Sequence, residues 1–123
     1  MSNDDVIGMA WRDRISFDEI KKKTGLNEKE VINFFGQIKK TFKNFDILVN
    51  NVGIAGPTGN IENLDSKDWE RTIQINLNSH FYFIKQSVPL IKKSGGGSII
   101  NLSSTAGIFG FPLRSPYAAS KWA

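Results

Sequence analysis

The chain has 123 residues, of which 40% are hydrophobic and 23% charged, the proportions of one globular domain with a core of its own. It has no cysteine and a single histidine, His80, which excludes disulfides, thiolate nucleophiles and cysteine or histidine metal clusters, so no metal site is expected. The net charge of +4 is spread evenly along the chain rather than gathered as in a dedicated nucleic-acid binder, and no apolar run reaches the roughly 18 residues of a membrane span.

The opening Met-Ser-Asn-Asp-Asp is acidic and lacks the apolar stretch of a signal peptide, so the expected location is the cytoplasm. Asp5 to Trp11 reads as a short helix. Ser16, with Glu19 three residues on, has the capping-box pattern of a helix start. That helix turns Phe17 and Ile20 inward and stops at Thr24-Gly25. Asn27 and Glu30 repeat the pattern. The helix from Glu28 is predicted to bury Val31, Phe34, Phe35, Ile38 and Phe42, with Gly36 weakening it somewhat. The apolar positions around Gly25 have the spacing of a helix-turn-helix, with Asn27, Lys29, Asn33 and Gln37 on the outer face where base or phosphate contacts are made. Residues 1–35 thus resemble the helix-turn-helix of bacterial sigma-like regulators. Ala10 to Arg14 is also similar to a stretch of a small uncharacterised bacterial family. The plainer alternative is a helical hairpin with a solvated charged face.

From residue 36 onward the texture changes to alternating strand and helix. Asp46-Ile-Leu-Val-Asn50 is a short apolar run ending in turn formers, as in a buried parallel strand. A Gly-rich loop, Asn51 to Asn60, comes next. Asp65 or Ser66 caps a helix through Trp69 and Ile73. A longer helix is predicted from about Asn76 to Lys93, with Leu77, Phe81, Ile84, Val88 and Ile91 on one side and Pro89 within it. Gly95-Gly96-Gly97 stops it, and Ser98-Ile-Ile-Asn-Leu102 is the next strand. A polar loop leads to a last helix beginning at Tyr117. The order β-α-β-α at these lengths is that of an α/β fold, a partial Rossmann-like parallel sheet whose long helix is the crossover. Such strands need cover on both faces.

In open parallel sheets, ligands bind beyond the carboxyl ends of the strands. Here those ends carry Asn50-Asn51-Val52-Gly53 and Ser103-Ser104-Thr105-Ala106-Gly107. Tyr117 and Lys121 are four apart and share one helix face. A free phenol titrates near about 10, and a neighbouring ammonium favours its charged form. A serine hydroxyl beside them suits the holding of a carbonyl oxygen. Together these groups suit proton transfer at an oxygen whose carbon exchanges a hydride.

Residues from about 35 to 123 resemble the middle of a short-chain dehydrogenase/reductase. The run Asp46 to Gly53 is similar to the family's Asn-Asn-Ala-Gly strand, with Val52 in place of alanine. Gln74-Ile-Asn76-Leu resembles its active-site asparagine motif, Ser104 stands thirteen residues before the tyrosine, and Tyr117-Ala-Ala-Ser-Lys121 matches Tyr-x-x-x-Lys. The resemblance implies that Tyr117 is the general acid/base and that Lys121 aids it and holds the nicotinamide ribose. It implies that Ser104 orients the substrate oxygen and that Asn76 kinks its helix and holds a relay water. Asn51 and Gly53 would border the cofactor, NAD or NADP, and the asparagines would also tie strands together. The implied partner is a small alcohol or carbonyl compound, with a homo-oligomer as the family's habit.

Where the sequence departs from the family, it lacks the Thr-Gly-x-x-x-Gly-x-Gly that receives the pyrophosphate. Gly53, Gly56 and Gly59 lie after a different strand, and Gly95 to Gly97 precede one. The expectation is therefore a helical segment, 1–35, and a partial dehydrogenase domain, 36–123, forming a truncated or fused fragment inactive on its own. A helix-turn-helix DNA-binding module and a non-functional fusion product are the alternatives.

Overall fold

A computed structural model of the protein describes residues 27–123. The Ala10–Arg14 stretch, the short helix at residues 5–11 and the capped helix expected from Ser16 lie outside the described residues.

Helix α1, Glu28–Thr41, starts where Asn27 and Glu30 place it. The Asn27 side chain accepts from the Glu30 backbone at 3.1 Å, and the Glu30 carboxylate accepts from the Asn27 backbone at 3.2 Å. It buries Val31 and Phe35, whereas Phe34 and Phe42 are exposed. Phe42 misses the predicted buried stripe because its backbone is already extended and it serves as the C-cap. The apolar side of α1 lies on the long helix Ser79–Lys93, α3, where Phe35 packs edge-on to Phe83; Phe35 is also tilted against Phe45 before the first strand. An ion pair from Glu28 to Lys85 of α3 flanks this contact.

Strand β1, Ile47–Asn50, pairs in parallel with β2, Ser98–Asn101, with Ile47 opposite Ser98 and Asn50 opposite Asn101. Between them runs one helical path in three parts: α2, Ser66–Ile73; a π-helical turn, Gln74–Asn78; and α3, Ser79–Lys93. The sequence predicts two helices meeting near Asn76 and no π turn. The wider i→i+5 turn changes the phase of the helix beyond it. α3 buries Ser79, Ser87 and Ile91 and half-buries Ile84 and Val88, whereas Phe81, expected inside, is 58% exposed. α3 ends where expected: Gly95, at φ +95°, turns the Gly96 N–H back to the Ile91 carbonyl at 3.0 Å.

The helices cover one face of the sheet, over Leu48. The other face, with Ile47, Val49 and Ile100, is exposed among the described residues, where the sequence predicts cover on both sides. Short 3₁₀ turns lie at Ile61–Asn63 and Thr105–Gly107. The last helix, α4, spans Ser115–Trp122 and so begins two residues before the predicted Tyr117. Pro116 sits in its first turn, where a fixed φ helps and a missing N–H costs nothing.

Candidate active site

Asn50 is buried at the end of β1, and its side-chain amide donates to Asn101 at 2.7 Å, which locks the two strand ends together. The Gly-rich loop that leaves β1 is held from behind by Asn76. The Asn76 carbonyl oxygen accepts from the Ile54 backbone at 2.7 Å. Its amide nitrogen donates to the Ile54 carbonyl at 2.9 Å and to Ser120 Oγ at 3.0 Å. One side chain in the π turn thus clamps the loop and α4 at once. His80, one turn further on, reaches the Val52 carbonyl at 2.9 Å, so the only histidine steadies the same loop.

The loop after β2 approaches α4 closely. Ser103 Oγ donates to the Lys121 carbonyl at 2.6 Å. A Cβ at Gly107 would stand 2.3 Å from that carbonyl oxygen, so no other residue fits there without moving α4. Ser104 caps the 3₁₀ turn by accepting from the Ala106 backbone at 3.2 Å.

These segments enclose a cleft of about 460 Å³ bordered by Asn51, Gly53, Ser104, Tyr117 and Lys121. Asn76 stands behind it and does not line it. Lys121 Nζ donates to the Leu102 carbonyl at 3.3 Å and lies 6.0 Å from the Tyr117 ring centre. Its ammonium and the Asn76 carbonyl oxygen would each be 3.5 Å from a Cβ at Gly53. Arg114 stands on the same ring, its guanidinium carbon 5.5 Å from the centre. No aspartate or glutamate among the described residues borders the cleft. A second hollow, of about 520 Å³ along α2 and lined by Trp69, Arg71 and Asn78 among others, holds none of the predicted site residues.

The family model described as short chain dehydrogenase matches residues 21–123. The chain belongs to the short-chain dehydrogenases. It is 47% identical over 87 residues to trans-4-hydroxycyclohexanecarboxylate dehydrogenase of Sinomonas cyclohexanicum, an alignment covering 71% of this chain and 33% of that protein. Among solved structures it resembles NAD⁺-bound xylitol dehydrogenase, with a TM-score of 0.75 and 29% identity over 80% of this chain and 38% of the other. It also resembles ElxO with NADP bound, at a TM-score of 0.74 and 30% identity, covering 80% and 40% of the two chains. The chain thus spans about a third of the curated relative's length.

In this member of the short-chain dehydrogenases the residues bordering the cleft are compatible with a dinucleotide. The cleft is bordered by a glycine at the strand end and an ammonium beside that glycine, with no acid among the described residues to repel phosphate. Sequence reasoning overlooked three contributors. Ser103 anchors the carbonyl of Lys121, Ser120 receives Asn76, and Arg114 stacks on Tyr117. Ser120 lies inside the Tyr-x-x-x-Lys stretch on the inner side of α4, which was the signal available for it. For Arg114 the signal was a lone cation one residue before the helix.

Proposed function

We propose that the chain carries the catalytic centre of an NAD- or NADP-dependent oxidoreductase acting on a small alcohol or carbonyl compound. The observation that supports this best is the meeting of Ser104, Tyr117 and Lys121 on one acid-free cleft at the strand ends. In the oxidative direction Ser104 Oγ holds the substrate oxygen and Tyr117 Oη takes the hydroxyl proton as the C–H electron pair departs as hydride. The dinucleotide, when bound, supplies the hydride acceptor. Lys121, beside Tyr117 and Gly53, would hold the ribose of a bound dinucleotide and place a positive charge near the phenol. Asn51 and Gly53 border the cofactor. Asn76 holds the loop and α4 in register. Both its amide hydrogens are in use, so only its acceptor positions are left for a relay water.

The alternative of DNA binding has less support, because α1 turns its apolar side onto α3. No described helix is long and apolar enough to cross a membrane, and the cytoplasm is the proposed location. The division into segments 1–35 and 36–123 rests on the change of texture in the sequence alone. Pairing with further copies is proposed from the family resemblance and from the exposed sheet face. With that face uncovered, the chain by itself is proposed to turn over weakly or not at all. Titration of the chain with NADH and NADPH, followed by their fluorescence, tests the reading, with 4-hydroxycyclohexanecarboxylate and xylitol as trial alcohols. Measurable cofactor binding is expected, and any turnover should fall by about 10²–10⁴-fold in Tyr117→Phe. No cofactor binding at low salt overturns the oxidoreductase reading. Micromolar binding with brisk turnover overturns the inactivity.

A further inference from the structure

We propose that Arg114 is the substrate-anchoring residue of this cleft and that the substrate carries a carboxylate. The inference rests on the oxidoreductase reading and adds the substrate class to it. Arg114 is half-buried at the cleft wall. One terminal nitrogen donates to the Ala55 carbonyl at 2.8 Å. The guanidinium carbon lies 5.7 Å from the Phe111 ring centre and 5.5 Å from that of Tyr117, so two rings fix the plane of the fork. Its Nε is buried and has no hydrogen-bond partner among the described residues. No described carboxylate lies within 4.0 Å of it.

A buried N–H of a cation without an acceptor is costly, and folded proteins seldom keep one. The planar fork matches a carboxylate with two parallel hydrogen bonds, which an ammonium cannot do. The backbone before it is unusual as well. Leu113 has φ +60°, a left-handed conformation rare for a branched side chain, and its carbonyl is held by the Gly59 N–H at 2.9 Å. Strain of this kind concentrates at ligand sites.

The two cations of the cleft also have different neighbours. Lys121 reaches Leu102 and faces Gly53, on the side assigned to the cofactor. Arg114 reaches Ala55 and Phe111. An anion held by Arg114 therefore sits beside the Tyr117 ring without displacing Lys121, and the alcohol carbon of the same molecule comes within reach of the phenol. A hydroxy acid or oxo acid meets this geometry.

The test compares 4-hydroxycyclohexanecarboxylate with its uncharged carboxamide. Binding of each to the whole chain is followed by ligand-observed NMR at low salt, for the parent and for Arg114→Gln. The acid is expected to bind about tenfold or more tighter than the amide, since hydrogen bonds to a charged group are involved. Arg114→Gln should remove that preference, bringing the acid's affinity down to that of the amide. Equal affinity for acid and amide overturns the proposal, as does binding of neither. An equal loss for both in the variant makes Arg114 a structural residue and overturns it. A loss of NADH affinity gives the guanidinium to the cofactor and overturns it too. An Arg114-dependent acid preference without cofactor binding upholds the anion site and sinks the oxidoreductase reading instead.

Discussion

Asn76 is 2% exposed and sits where a loop, a helix and the π turn meet, so its side chain is the residue on which the site's geometry most depends. Asn76→Ala leaves the Ile54 N–H and C=O without their partner and removes the N–H that Ser120 Oγ accepts, while the Ser120 hydroxyl keeps its bond to the Tyr117 carbonyl. Each buried group so stranded costs about 1–3 kcal/mol, and some regain water, so a net loss of about 3 kcal/mol is expected in urea unfolding. A loss under about 0.5 kcal/mol would mean that the loop and α4 hold together without the clamp. At this scale the sequence was informative where spacing carries meaning. Tyr117 and Lys121 share a helix face because they are four apart, and Ser104 stands at a strand end because the apolar run stops there. Arg114 was not legible. Its importance comes from Phe111, Ala55 and the cleft closing around it, and no local pattern encodes that meeting.

Helix α1 shows how an element can be specified by a few polar atoms. Its start is fixed by reciprocal bonds between Asn27 and Glu30, and Glu28 and Glu30 in the first turn suit the positive end of the helix. Asn27→Ala is expected to cost about 1 kcal/mol, the usual value of a lost N-cap, while Asn27→Ser restores most of it. Thermal unfolding followed by circular dichroism reads the difference. Equal stability of the two variants would show that packing against α3 alone holds the helix start. Caps were readable in advance because Asn27 with Glu30, and Asp65 before Ser66, satisfy orphan N–H groups by local chemistry. The π turn was legible only as the kink at Asn76 that the family resemblance implies, not from local composition. Gln74 to Asn78 has ordinary helical composition, and the wider turn accompanies bonds from Asn76 to Ile54 and Ser120, which lie 22 and 44 residues away. Within α3 the 3.6-residue count holds for Ile84, Val88 and Ile91 and fails at Phe81, which is exposed.

The two-stranded sheet of the described residues has helices on one face, while Ile47, Val49 and Ile100 on the other are 60%, 53% and 48% exposed. Each strand also has an outer edge with no strand beside it among the described residues. A parallel sheet of branched apolar residues is stable in water when both faces are covered, and exposed edges template further pairing. Covering one such side chain is worth about 1.5–3 kcal/mol, so the proposed pairing with further copies would draw on burial of this face. Val49 is the central position, and its side chain points away from the active-site loops. Val49→Lys places a charge in the middle of the apolar patch without removing a buried contact. Self-association measured by sedimentation velocity should weaken by about tenfold or more, and binding of a hydrophobic dye should fall with it. The helical circular dichroism signal and the NADH titration should stay as in the parent, since α1, α3 and the cleft do not touch this face. Unchanged sedimentation together with unchanged dye binding would show that the exposed face is covered in solution by something other than a second copy of the same surface.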